Sequence, residues 1–405
     1  MKILAVNVGT TSLKYKLYEM PEERVLAQGY LERVGKDDGI ATHRVYEKEV
    51  LRGESRSLPD FQAAIELAIK LITDPQTGSL NDLSDISAFA FKPVALRGLD
   101  LESAIPLDED VLSRMDASNI LAPMHNPPYI EAVRIFQKRF PGIPCLGLFE
   151  PTFHSSIPEH ARTYGIPYEW TERHFLRGYG YHGASHRYIA ETVPELIGRP
   201  AHGLKIINCH LGGSSSICAI RDGKSVDTSM GLSPQSGLIH GTRSGDLDAF
   251  AFPLLMREEG LGPDKLIDVL CTKGGLFGIS GISGDMRELR DAIKGGNRRA
   301  RLAVDAFVYG IRKYIGAYVA VLCGLDVLCF TGGIGEHDAD LRIEVCKGLE
   351  FMGIRIEPSR NQAHEAVISP PDSPVTIMVV PTNEELILAR EARRYLESKN
   401  RAPRS

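Results

Sequence analysis

Four glycine-rich turns in the sequence have the composition of phosphate-binding loops. They lie at residues 9–12, 212–216, 280–284 and 332–335. Glycine lets a phosphate approach backbone N–H groups closely, and hydroxyl side chains add further donors. None of the four has the Walker pattern GxxxxGK[ST] or the pattern GxGxxG, so an ordinary tight turn is the alternative for each. Together they predict a bound nucleotide.

Two of these turns belong to an internal repeat. Residues 2–13 and 205–216 each contain an apolar run, a polar residue, an apolar residue, glycine and then small hydroxyl residues. The offset is 210 − 7 = 203 residues, about half of the 405-residue chain. Only Lys, Ile, Gly and Ser are identical at matched positions. The repeat predicts two similar domains whose turns face each other across an interdomain cleft as a two-sided phosphate clamp.

Three histidines lie in polar loop segments: His125 in PMHNPP, His182 in GYHGASH and His210 in NCHLGG. An imidazole that donates hydrogen bonds can stabilise a transferring phosphoryl group. The alternative for each is a histidine that is hydrogen-bonded to loop backbone.

Two charged residues are candidates for binding an anion and a metal. Arg243 lies in GTRSGD, where a guanidinium can hold a carboxylate or phosphate in a bidentate manner. Its alternative partner is Asp246 or Asp248. Glu384 follows an apolar segment and can hold Mg²⁺, which favours carboxylate and phosphate oxygens. The alternative is an acid in the first turn of a helix, where the dipole favours it.

Alternating apolar segments and helical patterns predict an α/β protein in which the glycine-rich turns follow strands. We expect strands and helices as follows: strands at 86–94, 144–149, 327–330 and 375–380, and helices at 61–72, 129–140, 300–322 and 384–398. The length predicts two domains. We expect an N-terminal domain of residues 1–151 plus 387–405, formed with a returning C-terminal helix, and a nucleotide-binding domain of residues 152–386.

Composition narrows the function classes. The net charge of −5 gives no reason to expect nucleic acid or an anionic membrane as a partner. The seven cysteines include no C-x-x-C pair, which favours a reducing, cytoplasmic compartment. Residues 1–8 are too short and too soon polar for a signal peptide, and residues 315–325 are too short for a membrane span.

Six segments in this order resemble the acetate kinase family of the acetate and sugar kinase/Hsp70/actin superfamily: LAPMHNPP, YHGASHRY, GTRSGDLD, SGISGDMR, FTGGIGE and PTNEE. The resemblance runs from NVGTTSLKYKLY to PTNEELILA. It implies two ribonuclease-H-like (actin-like ATPase) domains around an interdomain cleft, normally in a homodimer. It also implies reversible phosphoryl transfer from ATP to acetate, giving acetyl phosphate and ADP by direct in-line attack. Mg²⁺ is the implied metal, with Mn²⁺ as a possible substitute.

The resemblance further implies roles for individual residues. His182 corresponds to the histidine that stabilises the transition state, and Arg243 to the arginine that holds substrate and phosphoryl. Further catalytic residues are Lys92, His125 and His210. The substrate-binding residues are Lys92, Arg243, Met124, Tyr181 and Pro234, and the metal-binding residues are Asn7, Glu150 and Glu384. The nucleotide-binding residues are Thr10, Ser12, Lys14, His210, Leu211, Gly212, Gly213, Ser214, Asp285, Met286, Arg287, Gly332, Gly333, Ile334 and Gly335.

The chain departs from the family pattern mainly on the acceptor and metal side. Lys92 stands where the family has a second catalytic arginine, unless Arg97 reaches in from a rearranged loop. Glu150 replaces aspartate, and Gly213 replaces asparagine. Near the acyl pocket, Met124 and Tyr181 replace the family's common leucine and phenylalanine. These departures leave two alternatives open: a kinase for another short-chain carboxylate such as propionate or butyrate, and a nucleotide-binding homologue with reduced activity.

Overall fold

The structure is a computed structural model that describes residues 1–98, 100–123 and 125–401. The chain divides into two compact units. Unit 1 comprises Met1–Thr152 and the segment that starts at Asn383, and unit 2 comprises Phe153–Thr382. Each unit contains one mixed β-sheet with helices packed on it, so the predicted α/β class is confirmed.

The sheet of unit 1 has eight strands within the described residues, in the order β5-β4-β3-β2-β1-β6-β8-β7. The central strand β1 is antiparallel to β2 and parallel to β6. The strands are β1 Lys2–Val8, β2 Ser12–Glu19, β3 Arg24–Glu32, β4 Lys36–Val45, β5 Lys48–Leu58, β6 Ile86–Phe91, β7 Ile105–Pro106 and β8 Cys145–Gly147.

The described sheet of unit 2 has five strands in the order β11-β10-β9-β12-β13. Strand β9 is antiparallel to β10 and parallel to β12, so its neighbours are arranged like those of β1. The strands are β9 Lys205–Leu211, β10 Ser215–Arg221, β11 Lys224–Thr228, β12 Val327–Thr331 and β13 Thr376–Val379.

The helices connect these strands and cover the sheets. They are α1 Phe61–Ile72, α2 Glu109–Ala117, α3 Asn126–Arg139, α4 Glu159–Arg162, α5 Tyr168–His174, α6 Gly183–Leu196, α7 Ala251–Glu258, α8 Pro263–Thr272, α9 Gly275–Ser280, α10 Met286–Lys294, α11 Arg298–Leu322, α12 Gly332–His337, α13 Ala339–Cys346, α14 Pro358–Gln362 and α15 Glu384–Arg401. Short 3₁₀ helices lie at Leu83–Asp85, Glu150–Ser156 and Glu350–Met352. Helix α15 contacts β1, β2 and β6.

The predicted elements are confirmed with shifts at their ends. Helix α1 has the predicted bounds, and Asp60 caps it by accepting the Ala63 N–H at 2.8 Å. Helix α3 begins three residues before the expected start, because its prolines lie in the first turn, where the missing N–H groups cost nothing. Strand β6 stops before Pro93, and β8 is only three residues long.

Side chains along β9 point alternately to the two faces of the unit 2 sheet, one covered by α11 and the other by α6. Ile207, Cys209 and Leu211 point into the core beneath α11. Ile206 packs on the opposite face with α6, and the two-residue period puts Asn208 and His210 on that same face. Polar residues at the end of β9 are therefore brought to the N-terminal end of α6.

The structure contains all seven cysteines as free thiols. Within the residues that it describes, no helix combines the length and apolar character needed to cross a membrane. The cytoplasmic location stays a prediction from sequence.

Candidate functional site

Unit 1 contains a buried ion cluster beyond the ends of β6 and β8. Lys92 follows β6 and is 9% exposed, while Glu150 follows β8 and is 5% exposed. The Lys92 Nζ lies 2.8 Å from Glu150 Oε1 and also pairs with Glu384, the first residue of α15. These three predicted site residues are thus brought together. The side chain of Arg97 is exposed, so Lys92 is the cation inside the cluster.

The cluster keeps Lys92 charged. Burial by itself lowers the pKa of the Lys92 ammonium, but the adjacent Glu150 and Glu384 carboxylates raise it more, and the net pKa lies well above the ordinary value. Beside this ammonium, Glu150 and Glu384 present carboxylate oxygens, the kind of ligand that a divalent cation such as Mg²⁺ takes.

Tyr129 on α3 extends the cluster to Asn7. Its O–H donates to Asn7 Oδ1 at 2.9 Å, and burial raises the pKa of Tyr129, so the phenol is neutral. The sequence prediction missed Tyr129, although it lies in the segment HNPPY on the buried face of α3. Among the described residues, no three His, Cys, Asp or Glu side chains converge as a metal site. A metal here would need two carboxylates and an amide oxygen.

The remaining predicted residues of unit 1 lie in its first turn and before α3. The Gly9 N–H donates to Ser12 O at 2.8 Å, which closes the turn. Thr10 is exposed, and the Lys14 ammonium lies 4.6 Å from the ring centroid of Tyr30. His125 is half-buried at the residue that precedes α3, and Met124 lies outside the described residues.

Unit 2 contains a cavity of about 1010 Å³. Its lining includes predicted nucleotide-binding residues from three separate turns, which are Gly212, Gly213, Asp285, Met286, Arg287, Gly333 and Ile334. Residues that the sequence did not single out also line it, among them Thr242, Arg290, His337 and His364. Three further predicted residues are buried and do not line the cavity: Leu211 at the end of β9, and Gly332 and Gly335 in α12.

Glycine is required where the turns around this cavity meet. The Gly241 N–H donates to Gly213 O at 2.9 Å, and a Cβ on Gly284 would lie 2.6 Å from Gly241 O. Gly332 has φ +78°, and a Cβ there would lie 2.7 Å from Leu211 O. Backbone therefore packs directly on backbone, which leaves room for a ligand to approach main-chain N–H groups.

Several charged side chains of the cavity are already paired with one another or with neighbouring residues. Asp285 caps α10 by accepting the Arg287 N–H at 2.8 Å, and the two side chains form an ion pair at 2.6 Å. Arg290 pairs with Asp338 at 3.1 Å and with Glu344 at 3.0 Å. A nucleotide would depend largely on backbone donors for its phosphates here.

Arg243 is held in a different way. Its Nη1 donates to Ser214 Oγ at 3.1 Å and to Pro234 O at 3.0 Å. It forms no ion pair with any described carboxylate. The suggested pairing with Asp246 or Asp248 is absent, since Asp246 accepts from Gly237 N–H at 2.7 Å and Asp248 from Phe250 N–H at 2.8 Å.

Burial lowers the pKa of the Arg243 guanidinium, which nonetheless stays cationic at neutral pH. Its neighbour His240 is neutral. Burial, followed by the charge of Arg243, lowers the pKa of His240 to about 3, and its Nδ1 accepts the Ser215 N–H at 2.9 Å. The local positive charge is therefore confined to the guanidinium, in a position that suits capture of an anion.

Two predicted histidines of unit 2 lie side by side. His182 precedes α6 in the left-handed conformation, with φ +57°, which residues with a side chain adopt infrequently. Its ring centroid is 4.3 Å from that of His210. His182 Nδ1 lies 2.8 Å from Ser216 Oγ, and His210 Nδ1 lies 2.8 Å from Ser185 Oγ.

The predicted substrate-binding residues Tyr181 and Pro234 lie around the same loop. Tyr181 is 2% exposed, and its O–H donates to Leu232 O at 2.7 Å. Pro234 is buried, and its carbonyl holds Arg243. The sequence analysis did not identify Asn208 and His186 as site residues, although His186 lies four residues after His182 and Asn208 two before His210.

Backbone turns at strand ends, a cation without a carboxylate partner among the described residues, and adjacent imidazoles are the parts of a phosphoryl-transfer site. The α/β fold and this site together define a phosphotransferase of the kinase class.

Comparison with known proteins identifies the family. The family model described as the acetokinase family matches residues 2–390, so the chain belongs to that family. Acetate kinase of Phocaeicola vulgatus is 44% identical over 395 residues, which cover 96% of this chain and 98% of the relative. Acetate kinase of Desulforamulus reducens is 43% identical over 399 residues, covering 97% and 99%.

Solved structures agree with this membership. Porphyromonas gingivalis acetate kinase superposes with a TM-score of 0.86 at 38% identity, covering 98% of this chain and 99% of that one. A propionate kinase from Francisella tularensis gives a TM-score of 0.87 at 32% identity, covering 96% and 98%. The predicted family fold is thereby confirmed. The chain is a phosphotransferase that acts on a carboxylate, with ATP as the other substrate.

Proposed function

We propose that the chain catalyses reversible phosphoryl transfer from ATP to acetate, giving acetyl phosphate and ADP. The observation that carries this proposal is Arg243, a half-buried guanidinium held by Ser214 and Pro234 without a described carboxylate partner. A cation kept in place by neutral acceptors is ready to bind a substrate anion, and it needs no ion pair to be broken first.

The proposed chemistry requires positioning and charge stabilisation rather than a base. An acetate carboxylate is already an anionic nucleophile at neutral pH, so its oxygen can attack the γ-phosphorus in line. Arg243 holds the carboxylate and the transferring phosphoryl group. His182 donates a hydrogen bond to that group, with His210 beside it. His125 remains a further candidate on the phosphoryl path.

ATP is proposed to occupy the cavity of unit 2. Backbone N–H groups of the turns at Gly212, Gly213 and Gly333 would receive the phosphates. Asp285 and Arg287 would lie on the adenosine side. Thr10, Ser12 and Lys14 of unit 1 stay candidates for contacts with the phosphates.

Mg²⁺ is the proposed metal, with Mn²⁺ as a substitute. The chemistry of the donor set fits, because Asn7, Glu150 and Glu384 offer only oxygen ligands, which Mg²⁺ prefers. When bound with ATP, the metal neutralises charge on the phosphate oxygens. Lys92 keeps the two glutamates in place and adds positive charge.

Unit 2 also presents an apolar surface that suits a homodimer. Helix α7 buries none of its residues and exposes Leu254 by 50%, and the preceding Phe250 is 82% exposed. On α11, Leu302 and Tyr309 are 55% and 67% exposed. Large exposed apolar side chains of this kind are typical of interaction surfaces. Phe250→Glu should lower the mass measured by light scattering from two chains to one.

The experiment that tests the proposed activity is hydroxamate trapping of acyl phosphate with ATP, Mg²⁺ and acetate. We expect acetyl hydroxamate to accumulate with time and enzyme concentration, and to form about 100- to 1,000-fold more slowly with Arg243→Ala. Tight ATP binding by calorimetry without any acyl phosphate would contradict the proposal and favour a nucleotide-binding homologue.

Another short-chain carboxylate is the second candidate substrate. Two observations favour it: the cation beside Glu150 is lysine rather than arginine, and a propionate kinase is among the similar structures. Acetate, propionate and butyrate should be compared by kcat/KM. We expect acetate to give the highest value, and a higher value for propionate or butyrate would make that acid the substrate.

A further inference from the structure

A continuous chain of buried polar groups runs from the centre of unit 2 to His182. Asn208 on β9, His186 on α6 and Ser216 on β10 are all 0% exposed. Asn208 Nδ2 lies 2.9 Å from His186 Nδ1, His186 Nε2 lies 2.8 Å from Ser216 Oγ, and Ser216 Oγ lies 2.8 Å from His182 Nδ1. Each group therefore has its neighbour within hydrogen-bond distance.

The donor and acceptor of each hydrogen bond follow from the bond between Asn208 and His186. The Nδ2 of Asn208 can only donate, so His186 Nδ1 must accept and carries no proton. Burial, with smaller contributions from His154 and His210, lowers the pKa of His186 well below its ordinary value, so the ring is neutral. A neutral ring without a proton on Nδ1 has its proton on Nε2. His186 Nε2–H therefore donates to the Ser216 hydroxyl.

The second half of the chain orients His182. Ser216 accepts from His186, and if it also accepted from His182, its own buried proton would have no acceptor among the described residues. Ser216 therefore donates that proton to His182 Nδ1. A lone pair on Nδ1 leaves the proton of a neutral His182 on Nε2. The Asn208 amide as placed leaves Oδ1 without a partner among the described residues, whereas exchanging its two atoms would leave both protons of the NH₂ group without one. Buried N–H groups are left unpaired less often than buried C=O groups, which favours the orientation as placed.

We propose that Asn208, His186 and Ser216 are positioning residues that fix His182 as the Nε2–H tautomer, so that His182 donates to the transferring phosphoryl group in its neutral form. This inference rests on the proposed function, because it assigns a use to the Nε2 proton. The opposite tautomer would present a lone pair to phosphoryl oxygens and repel them. Fixing the tautomer in advance removes a reorganisation step from the reaction.

The direct test is the tautomer of His182 in the ligand-free full-length protein. Protonated and unprotonated ring nitrogens are separated in long-range ¹H–¹⁵N NMR of protein labelled with ¹⁵N-histidine. His182→Gln identifies the His182 signals by their loss. We expect a proton on Nε2 and a lone pair on Nδ1. A proton on Nδ1 would overturn the inference.

Two variants test whether the hydrogen-bonded groups Asn208, His186 and Ser216 set the tautomer of His182. Asn208→Asp preserves size but can only accept from His186, which turns each bond round, so the proton of His182 should move to Nδ1. Ser216→Ala interrupts the chain, and His182 should become a mixture of tautomers even if the Asn208 variant fails to fold. The matched control is Ser185→Ala, which removes a buried hydroxyl bonded to His210 and should leave the His182 tautomer unchanged.

Kinetics separate positioning from general structural damage. In Asn208→Asp and Ser216→Ala, kcat should fall by about 100-fold while the KM values change little, because a donor to the transition state is lost. Ser216→Thr retains the hydroxyl and should restore the tautomer and most of kcat. An unchanged Nε2–H tautomer in both variants would overturn the inference. An absence of acyl phosphate would contradict the proposed function alone, since the NMR result needs no turnover.

Discussion

Strand β1 of unit 1 and strand β9 of unit 2 are both seven residues long and bury the same positions along their length. Each pairs with the next strand in antiparallel orientation and with a later strand in parallel orientation. Asn7 and His210 occupy the same half-buried, next-to-last position of these strands. The repeat seen in the sequence is therefore a repeat of strand pairing and burial.

Beyond these matched strands the two units contain different chemistry. Unit 1 contains the ion cluster of the buried Lys92 and Glu150 with the half-buried Glu384. Unit 2 buries a chain of neutral groups that ends at His182, and its cation Arg243 has no described carboxylate partner. The same pattern of strand pairing thus supports an ion cluster in one unit and oriented neutral dipoles in the other.

The difference shows how each kind of group can be buried. The buried ammonium of Lys92 has opposite charges beside it, so removing it would leave costly unpaired carboxylates. Neutral groups need only complete hydrogen bonding, and in return their dipoles are fixed before the substrate arrives. Unit 1 is accordingly suited to hold a cation, and unit 2 to stabilise a transferring anion.

The largest expected effect is on the stability of unit 1. Lys92→Met leaves Glu150 and Glu384 without their buried cation, so we expect the free energy of unfolding to fall by about 3–5 kcal/mol. Urea denaturation measures this change. Ser216→Ala in unit 2 removes only a neutral hydroxyl and should cost less, about 1–3 kcal/mol.

A matched lysine provides the control for Lys92. Lys2 of unit 1 pairs with Asp85 at 2.9 Å, but at the surface. Lys2→Met should therefore cost less than about 1 kcal/mol. If Lys92→Met and Lys2→Met lowered the free energy of unfolding equally, the Lys92 cluster would not be a buried ion cluster in solution.

The next effect in size is on catalysis in unit 2. Arg243→Ala removes the cation that we propose to bind the acceptor and the phosphoryl group, and kcat should fall by about 100- to 1,000-fold. Arg243→Lys should recover only part of the rate, because an ammonium lacks the planar fork. Initial rates with saturating ATP and acetate measure the change.

The control is Arg355→Ala, which removes an arginine that pairs with Asp372 at the surface of unit 2. We expect its rate to equal that of the unchanged protein. If Arg243→Ala were as active as Arg355→Ala, the contrast between a paired cation in unit 1 and an available cation in unit 2 would have no catalytic meaning.

A buried carboxylate without a cation should behave differently from those beside Lys92. Burial raises the pKa of Asp227 in unit 2 to about 6. This pKa exceeds the roughly 3.9 of aspartate in an unfolded chain, so the folded protein favours the protonated form of Asp227. The resulting contribution to the free energy of unfolding is fully present below about pH 4 and is lost as the pH rises through about 6.

Asp227→Asn removes this ionisation. Relative to the variant, the unchanged protein should lose about 2–3 kcal/mol of unfolding free energy between about pH 4 and about pH 7. Urea denaturation at both pH values gives the difference. A difference that is independent of pH would mean that Asp227 is not desolvated in the folded protein.

The smallest predicted effect concerns the support of Arg243. Ser214→Ala removes one of its two acceptors and leaves Pro234 O in place. The loss of one hydrogen bond of about 1 kcal/mol corresponds to a decrease in kcat/KM for the carboxylate of about fivefold. A decrease as large as that of Arg243→Ala would show that Ser214 itself contacts the reacting groups.

The sequence predicted much of the scaffold because local patterns determine it. Alternation and apolar runs located β1 and β9, and helical periodicity located α1 with its observed bounds. The start of α3 was placed too late, because an apolar period does not include the prolines that open its first turn. Such prolines are a capping signal rather than a periodicity signal.

The candidate site was predictable only where motif residues carry it. His182, Arg243, Glu150 and Glu384 were identified from motifs. The contact of Lys92 with Glu384, by contrast, joins residues that are 292 positions apart in the sequence. Asn208 and Ser216 meet His186 only when β9 and β10 pair beneath α6. No local pattern encodes which buried polar groups will bond to one another.

The most direct test of the account uses acetate labelled with ¹⁸O in its carboxyl group. The account holds that a carboxylate oxygen attacks the γ-phosphorus of ATP, so the acetyl phosphate formed should carry ¹⁸O bonded to phosphorus. This bond produces an isotope shift in the ³¹P NMR signal. The account predicts a shifted acetyl phosphate signal with the unchanged protein, and the same signal formed about 100- to 1,000-fold more slowly with Arg243→Ala. Acetyl phosphate without the shift, or no acetyl phosphate at all, would contradict it.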